Sequence, residues 1–178
     1  LIVFVILIGL LLATCFGGDG DDGDKSILQD ETGHSLSRGL NGKVTEFSVI
    51  EMPEWHRLWI NIKYDNAWDE AGYVNNILSD AHRIIRDEQK HHDDNKVGEI
   101  VITAYIPTEN QYGESSEGIA FRIAFESETV QRISFSSPEY RRLLDLAKIE
   151  NVKPVGRDLL SAWCRQYRDN SPYNCLDY

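Results

Sequence analysis

The run LWINIKY at Leu58–Tyr64, followed by VNNILSDAHRII at 74–85 and EIVITAYI at 99–106, sets the architecture of this chain. In the first run Leu58, Ile60, Ile62 and Tyr64 fall on one side of an extended backbone, and Trp59, Asn61 and Lys63 on the other. A period of two is the signature of a half-buried strand. In the second run Val74, Leu78, Ala81 and Ile85 recur at helical spacing, and Ile77 and Ile84 widen the stripe. The spacing predicts a helix reaching Lys90, opened by Asp65 or Asn66 as cap, with Asp69 and Glu70 in its first turn. Asn75, Asn76, Asp80, Arg83 and Asp87 make its polar face. The third run is rich in β-branched residues and stops at Pro107. A strand, a long helix and a strand in succession allow the two strands to lie parallel.

Working outward, Val44–Glu51 reads as a first strand ended by Pro53. Downstream, PTENQYGESSEG at 107–118 reads as a long polar loop. Ile119, Phe121, Ile123 and Phe125 then alternate with Ala120, Arg122 and Ala124. A short acidic turn at Glu126–Glu128 leads to Val130–Phe135, expected to pair with the preceding strand as a hairpin. Ser137-Pro138 suits a helix start, with Tyr140, Leu143, Leu144 and Ala147 as its apolar face. Lys153-Pro154 closes that segment, and a last helix over Arg157–Arg168 carries Leu159, Leu160, Trp163 and Tyr167. The order β-β-α-β-β-β-α-α predicts an α+β fold. It is a two-layer sandwich: a mixed or mainly antiparallel sheet of about five strands, packed by one long helix, with two C-terminal helices.

The 29 acidic residues against 18 basic ones give a formal net charge of −11. Such a surplus repels phosphate backbones, and the sequence has no local basic patch, so no nucleic-acid partner is expected. Acidity on this scale favours solubility rather than a dedicated acidic binding face.

Ahead of the body, LIVFVILIGLLLATCF at 1–16 carries no charge. A membrane span needs about 20 apolar residues, so this length suits the apolar region of a signal peptide better. The run ends Leu12-Ala13-Thr14-Cys15. It resembles the lipobox of bacterial lipoproteins, in which a small residue precedes a cysteine whose thiol takes a diacylglycerol. Leu12 and Ala13 match that pattern, while Thr14 stands where Gly or Ala is usual. The resemblance is confined to this N-terminal segment. It implies lipidation of Cys15, a membrane as partner through that lipid, and a cell-envelope location on the periplasmic or cell-surface side. Phe16 stands where an inner-membrane retention signal would place Asp, which favours the outer membrane.

Residues 1–14 thus read as a signal or anchor segment. Residues 15–42, rich in Gly and Asp, read as a flexible acidic tether, and 43–178 as a single α+β domain. That domain loosely resembles small α+β modules of exported bacterial proteins of unknown function, a likeness that implies no activity. With Cys15 assigned to lipid, Cys164 and Cys175 remain as an even pair, expected to form a disulfide in an oxidising compartment.

The polar clusters offer little chemistry. His91-His92-Asp93-Asp94, with His82 upstream, has the right residue types for a transition metal. Neighbours at a helix end do not converge on one ion, however, and no metal site is expected. Asp19, Asp21, Asp22 and Asp24 fail as a calcium loop, because Gly23 falls where a ligating side chain is needed. Ser115 and Ser116 lack a nucleophile elbow, and no phosphate-binding or dinucleotide fingerprint occurs, so no cofactor is expected. Glu109, Glu114 and Glu117 around the 107–118 loop keep a small exported hydrolase as an alternative.

The leading expectation is a membrane-tethered, non-enzymatic binding or structural module with a protein partner in the cell envelope. Its candidate ligand face is the outward side of the sheet, where Trp59, Asn61, Lys63 and Arg122 stand beside the small Ala120 and Ala124. A deep pocket of buried carboxylates would favour the hydrolase, and a shallow sheet face with exposed aromatics the binding module.

Overall fold

A computed structural model describes residues 39–51, 53, 55–91, 98–109, 112–133, 140–167 and 175. The elements run β1 (Lys43–Glu51), β2 (His56–Lys63), α1 (Glu70–His91), β3 (Glu99–Glu109), β4 (Ser115–Phe125) and α2 (Ser127–Arg132). A 3-10 turn (Tyr140–Arg142) then leads into α3 (Leu143–Leu146), β5 (Lys148–Glu150) and α4 (Pro154–Tyr167). The five strands form one sheet in the order β1-β2-β3-β4-β5. β2 and β3 are parallel and the remaining neighbours antiparallel. The fold is therefore α+β: a mixed five-stranded sheet, one long helix and C-terminal helices.

The periodicities explain the layering. Leu58, Ile60 and Ile62 of β2, Ile100 and Ile102 of β3, and Phe121, Ile123 and Phe125 of β4 form the sheet's contribution to a single core. Val74, Ile77, Leu78, Ala81, Ile84 and Ile85 of α1 complete it. α1 is the crossover that parallel β2 and β3 require. α4 packs along α1 through a face that includes Leu159, Leu160 and Trp163, all buried. Cys164 and Cys175 are joined as a disulfide, with Cα atoms 5.4 Å apart, and both are buried in the core cluster.

Several local expectations are corrected. The fifth strand is Lys148–Glu150, pairing with β4 through Arg122↔Glu150 and Ala124↔Lys148. The expected strand at 130–135 is helical as far as Arg132; residues 134 and 135 lie outside the described residues. Its apolar positions explain why: Val130 and Ile133 are three apart, as on a helix, and Val130 is the residue that α2 buries. Glu128 and Arg132 pair across one turn at 2.6 Å. Gln89 of α1 donates its amide to the Val130 and Ile133 carbonyls, two of the acceptors at the end of α2.

The supposed loop at 107–118 is mostly strand. Pro107 opposes Glu117, Thr108 opposes Ser116, and Glu109 opposes Ser115. This end of the hairpin projects past the last buried residue of β3, Ile106, so its side chains are polar while its backbone stays paired.

α1 is capped by Asp69 rather than Asp65 or Asn66: its Oδ1 accepts the Gly72 N–H at 2.7 Å. α4 begins at Pro154, three residues earlier than expected, because proline at the first helical position sacrifices no hydrogen bond. The proposed helix start at Ser137-Pro138 lies outside the described residues; Leu143 and Leu144 beyond it are buried in α3. Leu40, assigned to the tether from sequence, packs against the core, so the chain joins the body before residue 43.

The start of α4 is locked to β4. Lys153 donates its N–H to the Ala120 carbonyl at 2.9 Å. A Cβ on Gly156 would lie 2.0 Å from that same oxygen. Gly156→Ala must therefore push α4 off the sheet, and is expected to lower stability by about 2 kcal/mol or more. A urea unfolding midpoint unchanged by the substitution would contradict this close approach.

Candidate functional site

The sheet face opposite α1 presents the odd-numbered residues of β2 and their neighbours in register. One row runs Glu46, Asn61, Thr103, Arg122, Glu150. The adjacent row runs Ser48, Trp59, Val101, Ala124, Lys148. The 3-10 turn, α3 and α4 all contact α1, on the core side of the sheet, so the two C-terminal helices leave this face open.

The four residues singled out from sequence do share the face. The Arg122 guanidinium lies over the Trp59 ring, 4.4 Å from its centroid, and Arg122 Nε donates to Thr103 Oγ1 at 3.3 Å. Val101, Thr103 and Ala124 beneath them are almost fully buried, and neither Val101 nor Ala124 belongs to the main core cluster. The room left by the small residues is thus filled from within, by the Trp59–Arg122 plate. Ala120 does not contribute to this face. The pairing of β3 with β4 skips it at an irregularity, and it is buried where α4 begins.

Around the plate, charges are matched across strands. Arg57 holds Glu99 through Nε and Nη2, both at 2.6 Å. Lys63 Nζ reaches Glu117 at 2.6 Å and Asp65 at 3.1 Å, and these contacts raise its pKa. The hydrogen bond from Lys148, aided by the fields of Arg122 and Arg57, lowers that of Glu150. Arg122 differs. Its guanidinium has no carboxylate within ion-pair distance among the described residues, and only Nε is engaged. Asn61 is also half satisfied: Nδ2 donates to Glu46 at 2.5 Å, while its buried Oδ1 has no partner. The face therefore carries an oriented, stacked cation on one side of Thr103 and, on the other, a buried acceptor that no described group fills.

The other sequence candidates disperse. Glu109, Glu114 and Glu117 sit exposed at the far end of the β3–β4 hairpin, and Glu117 is held by Lys63. His82 is half-buried on α1, where burial and the charges of Arg86 and Arg83 lower its pKa. His92, Asp93, Asp94, the acidic stretch from Asp19 and Cys15 lie outside the described residues. Among the described residues no group of three or more His, Cys, Asp or Glu could hold a metal ion. Likewise, no described helix is long and apolar enough to cross a membrane.

Two buried polar clusters escaped the sequence reading. Asp80, assigned to the polar face of α1, is fully buried. It accepts the Asn41 N–H at 2.8 Å, Asn41 Nδ2 at 2.8 Å and the Gly42 N–H at 2.9 Å. Burial raises its pKa, and the backbone donors act against that rise. The buried Tyr64 hydroxyl beside it makes no hydrogen bond of acceptable geometry, and burial together with the Asp80 charge keeps it protonated. The second cluster joins His56 Nε2 to Glu88 Oε1, with both side chains buried. The signal for it was phase: His56 continues the inward row of Leu58 and Ile60, and Glu88 lies one turn beyond Ile84 on the buried stripe.

Comparison with protein families, curated proteins and solved structures finds no match to this chain.

The hydrogen bond to Glu88 raises the His56 pKa above its ordinary value, with burial opposing and the Glu88 and Glu51 charges assisting. A histidine pKa raised by folding adds stability that is complete below the unfolded value, about 6.5, and fades as pH climbs through the folded one. His56→Gln should therefore destabilise most below pH about 6.5, and the gap to wild type should narrow at higher pH. Urea unfolding of both proteins across pH 5.5–9 checks this (about one unit below to a few above the ordinary histidine value); a gap independent of pH would refute a protonated His56.

Proposed function

We propose that this protein is a non-enzymatic binding module, held at a bacterial membrane by lipid on Cys15, that docks a protein partner on its open sheet face. One observation carries the docking surface: Arg122 is stacked on Trp59 and oriented by Thr103, yet among the described residues it forms no ion pair with a carboxylate, in a protein of net charge −11. An arginine presented in this way has its side-chain entropy already reduced, and its remaining donors suit a carboxylate. The matched pairs around it supply a polar rim. The partner is therefore a protein segment bearing an Asp or Glu. The hydrolase alternative gains no support, since the hairpin carboxylates are exposed and spread along paired strands rather than gathered in a pocket.

The membrane part rests on the sequence 1–16 and its lipobox-like end. An N-terminal lipid would present the domain through the Gly- and Asp-rich stretch, leaving the sheet face free to meet a partner.

Metabolic labelling with a radiolabelled fatty acid tests the anchor: label on the wild-type protein should disappear in Cys15→Ala, and unchanged labelling would sink the lipid claim. For the docking surface, the intact protein and Arg122→Glu are compared in affinity capture, with equal thermal stability as the control for folding. A partner recovered by wild type should fall at least about tenfold with Arg122→Glu, a loss of about 1.4 kcal/mol or more. Equal recovery with Arg122→Glu and with Trp59→Ala would place the interface elsewhere.

A further inference from the structure

The connection from β2 to α1 and the first turns of α1 enclose a shallow depression of about 600 Å³, lined by Asn66, Ala67, Trp68, Gly72, Asn75 and Asn76. Its size lies within the range of small-ligand sites. Trp68 is completely exposed, the only described tryptophan that is. A bare indole keeps one of the largest apolar side-chain surfaces in water, and nothing in the core requires it there.

The rest of the lining is equally specific. None of it is ionisable, although a quarter of the chain is charged (26%). Three of the six residues are asparagines, whose amides both donate and accept. Asn75 is fixed from below: its Oδ1 accepts Trp163 Nε1 at 3.0 Å and Arg141 Nε at 3.4 Å. Arg141 is in turn held over the rings of Tyr140 and Tyr167, at 5.2 and 4.7 Å. With its oxygen committed, Asn75 keeps its amide N–H groups for a ligand. Asn66 and Asn76 have no hydrogen-bonded side-chain partner among the described residues. Gly72 leaves the floor open; a Cβ there would meet Ala67 Cβ and Asp69 Oδ1, each at 3.2 Å.

We propose that this depression binds a neutral saccharide. A pyranose ring has a flat C–H face, which buries against an indole, and a rim of hydroxyls that both donate and accept, which asparagine amides match. A peptide would instead seek an apolar pocket for a side-chain anchor or a free strand edge, and this lining provides neither. Charge narrows the class. Asp65, Asp69 and Glu70 are exposed on the same connection and repel uronic or sialic acids. The site is independent of the sheet face centred on Trp59 and Arg122, and needs no lipid anchor.

The test is a titration of the protein with chitotetraose, cellotetraose and tetragalacturonate. Tryptophan emission and saturation-transfer NMR on the sugar protons are the readouts. At least one of the two neutral sugars should give a saturable emission shift and a transfer signal, and the acidic sugar should give neither. Trp68→Ala should weaken binding at least tenfold and Asn76→Ala several-fold, while Trp59→Ala retains it. Trp68 supports no packing, so Trp68→Ala should fold, which circular dichroism and a thermal melt verify. Binding of tetragalacturonate alone, full binding by Trp68→Ala, or no binding of either neutral sugar would overturn the proposal.

Discussion

Parallel pairing of β2 with β3 governs this structure. Two adjacent strands running the same way cannot be joined by a tight turn, so the chain must climb back over the sheet, and α1 does so. Once a long amphipathic helix lies across one face, the apolar side chains of β2, β3 and β4 have a single direction in which to bury. The later elements then have little choice. α4 finds its apolar surface against α1, and β5 adds three residues to the only free side of β4. Among the described residues, the helices that follow β4 gather on the helical side and leave the opposite face open.

An uncovered face has to remain soluble without becoming featureless. It does so with cross-strand ion pairs at its margins, Arg57–Glu99 and Lys63–Glu117, and a planar Arg122–Trp59 stack over small buried residues at its centre. Exposed pairs of this kind add little stability, about 0–1 kcal/mol each. Their effect here is to fix where charge sits. Edge protection is visible as well: β1 carries an irregularity between Val44 and Glu46 and charges at Lys43, Glu46 and Glu51, and β5 is very short. The sheet is guarded at its edges and open across its face, an arrangement that favours docking onto the face over strand addition.

What was legible in the sequence was what periodicity alone determines. LWINIKY and the stripe from Val74 to Ile85 gave β2, α1 and the side each buries, and the odd phase of β2 put Trp59, Asn61 and Lys63 together. The misreadings have physical causes. Polar residues at 107–118 suggested a loop, but a hairpin extending past the core is polar on both sides while its strands stay paired from Pro107 to Glu109 and from Ser115 to Glu117. Lys148–Glu150 is too short and too charged to announce itself as a strand; its pairing partner, β4, is what makes it one. Val130 and Ile133 have helical spacing, which the expected strand overlooked, and Gln89, invisible in one dimension, holds the end of α2. Asp80 looked like an ordinary polar residue because its partners are contributed by a distant segment. The pocket beside Trp68 could not be read from the sequence, because the complete exposure of that tryptophan depends on packing.

The Asp80 clip bears on mechanics as well as on folding. Within the described residues, a pull applied at Gly39 meets the core packing of Leu40 and then Asn41 and Gly42, which three hydrogen bonds tie to the middle of α1. Beyond them lies β1, an edge strand whose end pair, Lys43 with Lys63, faces the load. Pulled outward from that end, β1 would open like a zipper, one rung at a time. The buried carboxylate diverts the pull into the longest helix of the body before the zipper is reached. Under such a load Asp80 would serve as a strain relief, much like the grip where a cable enters a housing.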